Sequence, residues 1–168
     1  MITNSIYASF VGTLTTVFLS IPIAFLIAKH KSTFSKTIEK ISYIGFVLPG
    51  IVVALAVVYF GINFAMPIYQ TIMLLAIGYL ILFIPVAIGI IKPVISQINP
   101  KLEESAKSLG ASNFKIWQKI NFPSMAPGIT GAFILVFILI MKELPATLIL
   151  APLSFNTCLL YTSPSPRD

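Results

Sequence analysis

The chain has 168 residues, 57% of them hydrophobic and 10% charged, with a mean hydropathy of +0.97 and a net charge of +6. Soluble domains carry about 25% charged residues, so this composition excludes an ordinary soluble protein. The positive charge does not point to nucleic acid either, because nine of the eleven basic residues lie in two short segments beside apolar runs, which is how membrane topology is written.

In chain order, the first apolar stretch runs from Ile6 to Ala28 without a charge and closes on Lys29-His30-Lys31. Crossing ~30 Å of hydrocarbon takes about 20 residues, which predicts a first span over 6–28. Ile41 to Ile91 is uncharged for 51 residues, enough for two spans. Asn63, Pro67 and Gln70 supply turn and polar groups between them, so the expected spans are 41–63 and 70–91. Phe122 to Met141 is again uncharged and ends at Lys142-Glu143, predicting a span over 124–141. Only helices or closed barrels satisfy the backbone in lipid, and these runs lack the alternation of barrel strands. The predicted class is an all-α polytopic membrane protein with four visible transmembrane helices.

Segment 29–40 carries four lysines against Glu39, and segment 92–121 carries five against Glu103 and Glu104. The turn at 61–70 has no charge. Positive-inside logic places both lysine segments in the cytoplasm and the turn outside.

Several features carry no chemistry of their own. Pro22, Pro49 and Pro85 read as kinks of membrane helices rather than a broken-helix site. Gly45, Gly50, Gly61, Gly78 and Gly89 read as close-packing positions. His30 lies among lysines at a membrane edge, and Cys158 is the sole cysteine, which excludes an internal disulfide or a cysteine-based metal cluster. No Ser-His-Asp set, glycine-rich phosphate loop or carboxylate pair in a soluble cleft is visible, and nothing suggests catalysis.

The polar segment 98–121 stands apart. Asn99-Pro100 predicts a helix opening, Asn as cap and Pro at the first position. Leu102, Ala106 and Leu109 recur at helical spacing as one apolar stripe, and Gly110 ends that helix through positive φ. Ser112 or Asn113 can cap a second helix bearing Phe114, Trp117 and Asn121 on one line and Ile116 and Ile120 on the next, which Pro123 stops. From these residues alone, an amphipathic hairpin lying on the membrane surface, its lysines facing anionic lipid, is the favoured reading.

Glu104-Ser105-Ala106, three residues, Gly110, nine residues, Ile120, then Phe122-Pro123 resembles the EAA loop of ABC-type importer permeases, with Ser105 where the family prefers Ala and Phe122 where it prefers Leu. The resemblance implies that this loop is a coupling helix seated on a separate ATPase subunit, with Glu104, Ser105, Ala106, Gly110, Ile120 and Pro123 as coupling residues. It also implies that the permease binds no cofactor, ATP being used by the partner. The partners implied are ABC ATPase subunits, a second permease half or copy and an extracytoplasmic solute-binding protein, with the lipid bilayer as surroundings and no nucleic acid. No G-x-x-x-x-G-K-[ST] occurs in the chain, as expected of such a subunit.

Residues 141–157, Met-Lys-Glu-Leu-Pro-Ala-Thr-Leu-Ile-Leu-Ala-Pro-Leu-Ser-Phe-Asn-Thr, are similar to the segment after the loop in iron(III)-type permeases, a group that also serves thiamine and phosphonate-like solutes, so the resemblance does not fix the solute. Ala151 stands where those proteins often carry Arg, which weakens an anionic or metal–anion solute. Lys142 and Glu143 read as an ion pair near the outer end of the fourth span, where charge is costly unless paired or hydrated. The pair either lines the translocation path or is a plain span terminus with Pro145 ending the helix. The resemblance covers residues 5 to 157, the later part of a permease half, and implies further spans before and after it. Residues 158–168 leave the family pattern and hold the sole cysteine, arginine and aspartate, the composition of a translated cloning or adapter tail. A secondary transporter is the competing class, but it calls for intramembrane acids or unwound polar segments, and residues 41–91 contain no acid. A non-transporting scaffold is the third.

Overall fold

The computed structural model describes residues 2–29 and 32–150; the expected tail, His30 and positions 151–157 of the iron-type segment lie outside the described residues. Every regular element among the described residues is helical: α1 (Ile2–Lys29), α2 (Thr33–Val47), α3 (Gly50–Phe64), α4 (Ile72–Ser96), α5 (Pro100–Ser108), α6 (Asn113–Ile116), α7 (Phe122–Lys142) and α8 (Pro145–Leu150), with a 3-10 turn at Met66–Ile68 and a π turn at Trp117–Asn121. The all-α polytopic class holds. Three stretches are long and apolar enough to cross a membrane, Ser5–Lys29, Ile72–Ser96 and Asn113–Lys142; counted as one span, the bent pair α2–α3 is a fourth.

α4 is the centre of the bundle. Leu74, Leu75, Tyr79, Ala87, Ile88, Ile91 and Ile95 are all buried, and α1, α2, α3, α7 and α8 pack around it. α1 meets it with a row of small hydroxyl residues, Ser9, Thr13, Thr16 and Ser20, each at most 4% exposed. Such residues let helices approach closely where lipid gives no hydrophobic drive between them. Their hydroxyls would be orphaned in hydrocarbon, but Thr13, Thr16 and Ser20 donate to the carbonyls of Ser9, Gly12 and Val17 on their own helix.

The single helix expected over 41–63 is two helices meeting at about a right angle, 101°, and the expectation of a simple kink at Pro49 is corrected. Proline has no N–H to bond four residues back and drives the residue before it out of the α region. Leu48 accordingly sits at φ −82, ψ 137, and a new helix starts at Gly50. Pro22 and Pro85, by contrast, lie inside continuous helices. Gly45 shows how tightly α2 is laid on α4: a Cβ there would stand 2.2 Å from the carbonyl oxygen of Ile81. The turn expected near 63–70 falls between α3 and α4, with Gln70 at φ 57.

Two ion pairs mark one end of the bundle. Lys29 at the end of α1 binds Glu103 on α5, and Lys92 near the end of α4 binds Glu39 on α2. Both lysine-rich segments therefore share one end, and the uncharged α3–α4 turn lies at the other end of α4.

Candidate functional site

α5 is opened by Asn99, whose side chain accepts from the Lys101 N–H at 3.0 Å, with Pro100 at the first position. It closes in a two-bond cap. The Gly110 N–H donates to the Lys107 carbonyl and the Ala111 N–H to the Ala106 carbonyl, with Gly110 at φ +79. This is the reciprocal arrangement in which a left-handed residue satisfies the last carbonyls of a helix. α6 follows at once, its Lys115 N–H donating to the Ser112 hydroxyl at 3.3 Å.

The exposure pattern of this hairpin is unlike that of a docked surface helix. Lys101, Leu102, Glu104, Ser105, Lys107, Ser108, Leu109 and Gly110 are all exposed, and only Glu103 and Ala106, one turn apart, are half-buried. Leu102 is 57% and Leu109 87% exposed. The expected stripe of Leu102, Ala106 and Leu109 is thus split: Ala106 faces the body, while the leucines face out with Glu104 and Ser105. On the next element Phe114 is 73% exposed and Trp117 is also exposed, whereas Ile116 is buried, Ile120 half-buried and Asn121 buried. The inward line is therefore Ile116, Ile120 and Asn121, and Phe114 and Trp117 look outward.

Pro123 does not stop the second helix, contrary to expectation. The chain stays helical from Asn113 to Lys142 because a π turn at Trp117–Asn121 precedes the proline, with the Phe122 N–H bonded to the Trp117 carbonyl. The wider turn opens the ladder where the ring would meet the carbonyl four residues back. Pro123 itself is exposed, at the start of α7. The side-chain oxygen of Asn121, buried beside the π turn, has no hydrogen-bond partner among the described residues.

Lys142 and Glu143 are not an ion pair; among the described residues the ion pairs are those at the lysine end of the bundle. Neighbours in sequence at a helix end point about 100° apart, and here Lys142 is exposed while Glu143 is half-buried. α7 ends at Lys142, and Pro145 opens α8 rather than closing α7. Glu143 lies over the first residue of α3: a Cβ on Gly50 would be 2.6 Å from its Oε1 and 3.9 Å from Leu82. Leu82 is about 15 Å along α4 from Ile72, so Glu143 sits within the bundle at the α2–α3 break and not at its rim. Its backbone is held by a relay, the Tyr79 hydroxyl at 2.7 Å from that of Thr147, which bonds the Glu143 carbonyl. The residues expected to couple and the pair 142–143 thus lie apart, the former at the lysine end of the bundle and Glu143 near the middle of α4.

Glu103 is what sequence reasoning missed. Two adjacent acids in a lysine-rich loop look alike by composition. The available signal was spacing: Glu103 shares a helix face with Ala106, three residues on, and Glu104 does not.

Comparison with known proteins supplies the family. Residues 20–159 match the model described as binding-protein-dependent transport system inner membrane component. The chain is 34% identical over 154 residues, 92% of its length, to an Fe(3+)-transport system permease protein, FbpB 2, of Haemophilus influenzae, of which it covers 30%. It is 27% identical over 80% of its length to a spermidine/putrescine transport system permease PotC homolog of Mycoplasma genitalium, covering 48% of that protein. A sulfate transport system permease protein CysT of Salmonella typhimurium is 28% identical over 40% of the chain and 24% of its own length. The chain thus spans less than half the length of these relatives. With its apolar helices and this match, it is a multi-pass bacterial inner-membrane protein, and it belongs to the family of binding-protein-dependent transport system inner membrane components.

Proposed function

We propose that this chain forms part of the translocation path of an ATP-driven solute importer and couples it to a separate ATPase through α5. The observation that carries this reading is the outward face of α5, where Leu102 and Leu109 are exposed at the lysine end, next to Glu104 and Ser105. Large apolar side chains displayed outside the spanning stretches are costly unless another surface covers them. A groove on a partner protein supplies that surface. In this reading the chain holds no nucleotide; the ATPase subunits use ATP, a second permease half completes the path, and a solute-binding protein delivers from outside.

Glu143 lines the path in the same reading. It is a carboxylate inside the bundle at the broken helix pair α2–α3, and an intramembrane acid is by default a functional group. Iron(III) is the solute we favour, on the likeness to the Fe(3+) permease and on the Lys142–Leu150 segment, Ala151 being the one departure that counts against it.

The test is made in the complete importer. Gly110 has open space around it, so Gly110→Val acts through the backbone, a cost of about 1–2 kcal/mol at positive φ. Glu104→Lys reverses an exposed charge at the proposed contact. Both variants are expected to leave permease abundance near normal while ATPase co-purification and solute uptake fall together. Wild-type uptake in both would return the loop to a membrane-surface hairpin.

A further inference from the structure

Resting on the reading of α5 as the ATPase-facing element, we propose that Glu103 is a positioning residue: with Lys29 it forms a strut that carries movement of α5 into α1, while the adjacent Glu104 faces the partner. The two acids differ in surroundings, not in chemistry. Glu104 is exposed, and its backbone carbonyl accepts only the local bond from Ser108. The Glu103 side chain is 21% exposed and meets the Lys29 Nζ, itself 20% exposed, at 2.5 Å. The contact joins residues 74 apart in sequence.

The pair matters because α5 has little else to push against. It is joined to α4 by residues 97–99 and to α6 by residues 109–112, both non-helical. Gly110, in the second joint, has nothing within 4 Å of a Cβ. Apart from Glu103 and Ala106 its residues with described side chains are exposed. Among the described residues, Glu103–Lys29 is the side-chain bond that leads from α5 to a spanning helix. At the far end of that bond stands the last residue of α1 (Lys29), a helix of 28 residues packed on both α4 and α7. A cation at a helix C-terminus is favoured by the dipole, so the lysine is held by α1 and the carboxylate by α5. The covalent routes lead through residues 97–99 to α4 and through α6 and the π turn to α7; the ion pair adds α1. With the ion pair in place, a displacement of α5 acts on α1 as well as on the two spans to which it is covalently joined, α4 and α7.

The experiment uses the complete importer in proteoliposomes, with Lys29→Glu, Glu103→Lys, the double swap, and Glu103→Gln as a shape-preserving variant. Membrane abundance, ATPase co-purification, ATP hydrolysis and solute uptake are read in parallel. For the single variants the expectation is retained ATPase and continuing hydrolysis, with uptake per ATP lowered by roughly two- to thirtyfold, the range of one coupling contact. The double swap, which rebuilds the pair with reversed sign, is expected to recover most of that loss, the non-additivity that marks a direct interaction. Single variants with unchanged uptake per ATP overturn the strut. Loss of ATPase binding in Glu103→Gln, not recovered in the swap, also overturns it and makes Glu103 a docking contact like Glu104. Failure of the coupling reading is separately visible, since Gly110→Val and Glu104→Lys would then leave ATPase binding intact.

Discussion

α4 and α5 are neighbours in the chain and opposites in environment. Leu74 and Leu75 on α4 are 1% and 0% exposed, whereas Leu102 and Leu109 at α5 are 57% and 87% exposed. The same side chain thus serves two ends. On α4 it fills the space between five helices, where interiors pack at crystal-like density and a lost methylene leaves a void. On α5 it stands free, with polar neighbours and no covering element among the described residues. The difference teaches that the leucines of α4 find their packing partners among the described residues, while those at α5 do not.

The largest effect should come from truncating each kind of leucine. Leu75→Ala opens a cavity in the bundle and is expected to destabilise the permease by about 2–4 kcal/mol, read as a lowered unfolding midpoint in detergent. Leu109→Ala removes an exposed side chain and should change stability by less than about 0.5 kcal/mol while weakening ATPase association. Equal destabilisation by both would erase the contrast.

A smaller effect is expected where α4 meets α8. Tyr79→Phe removes the bond to Thr147 but keeps the ring packed beside Phe83. Hydrogen bonds between membrane helices contribute about 0.6 kcal/mol on average, so a loss of that order should appear in the midpoint. Because the relay ends on the Glu143 carbonyl, uptake should fall as well if Glu143 lines the path. A loss of several kcal/mol would show that the hydroxyl holds more than Thr147.

The smallest effect has the opposite sign. Asn121 is buried with an unpaired carbonyl oxygen beside the π turn. Relief of the orphaned acceptor is offset by loss of the amide nitrogen and by repacking around the new side chain, so Asn121→Leu, of similar size, should be neutral or mildly stabilising. Clear destabilisation would reveal a partner for that oxygen in the assembled importer, and would make the π turn a region completed from outside, as proposed for the face of α5.

Much of the hairpin was legible because its signals are local. The Asn99-Pro100 opening, the Ser112 cap and the positive φ of Gly110 depend on residues within one turn of each other, and capping chemistry is short-ranged. The prolines were harder to read. Pro22 and Pro85 stay within helices, Pro49 breaks one, and Pro123 is absorbed by a π turn. What a proline does to a membrane helix depends on which neighbours re-satisfy the freed carbonyls, and those neighbours come from elsewhere in the chain.

By itself the sequence determined that this protein lives in lipid, which stretches are apolar enough to span it, and where the polar loop carries caps and its turning glycine. These follow from composition and from interactions within a few residues. Only the tertiary structure decided that Glu103 turns inward to Lys29 while Glu104 turns out, that Glu143 lies over Gly50 instead of pairing with Lys142, and that the second apolar run folds through a right angle. Each of these is a choice between faces or partners that are equivalent in local chemistry. It is settled by which distant helix arrives alongside, a fact that no window of neighbouring residues contains.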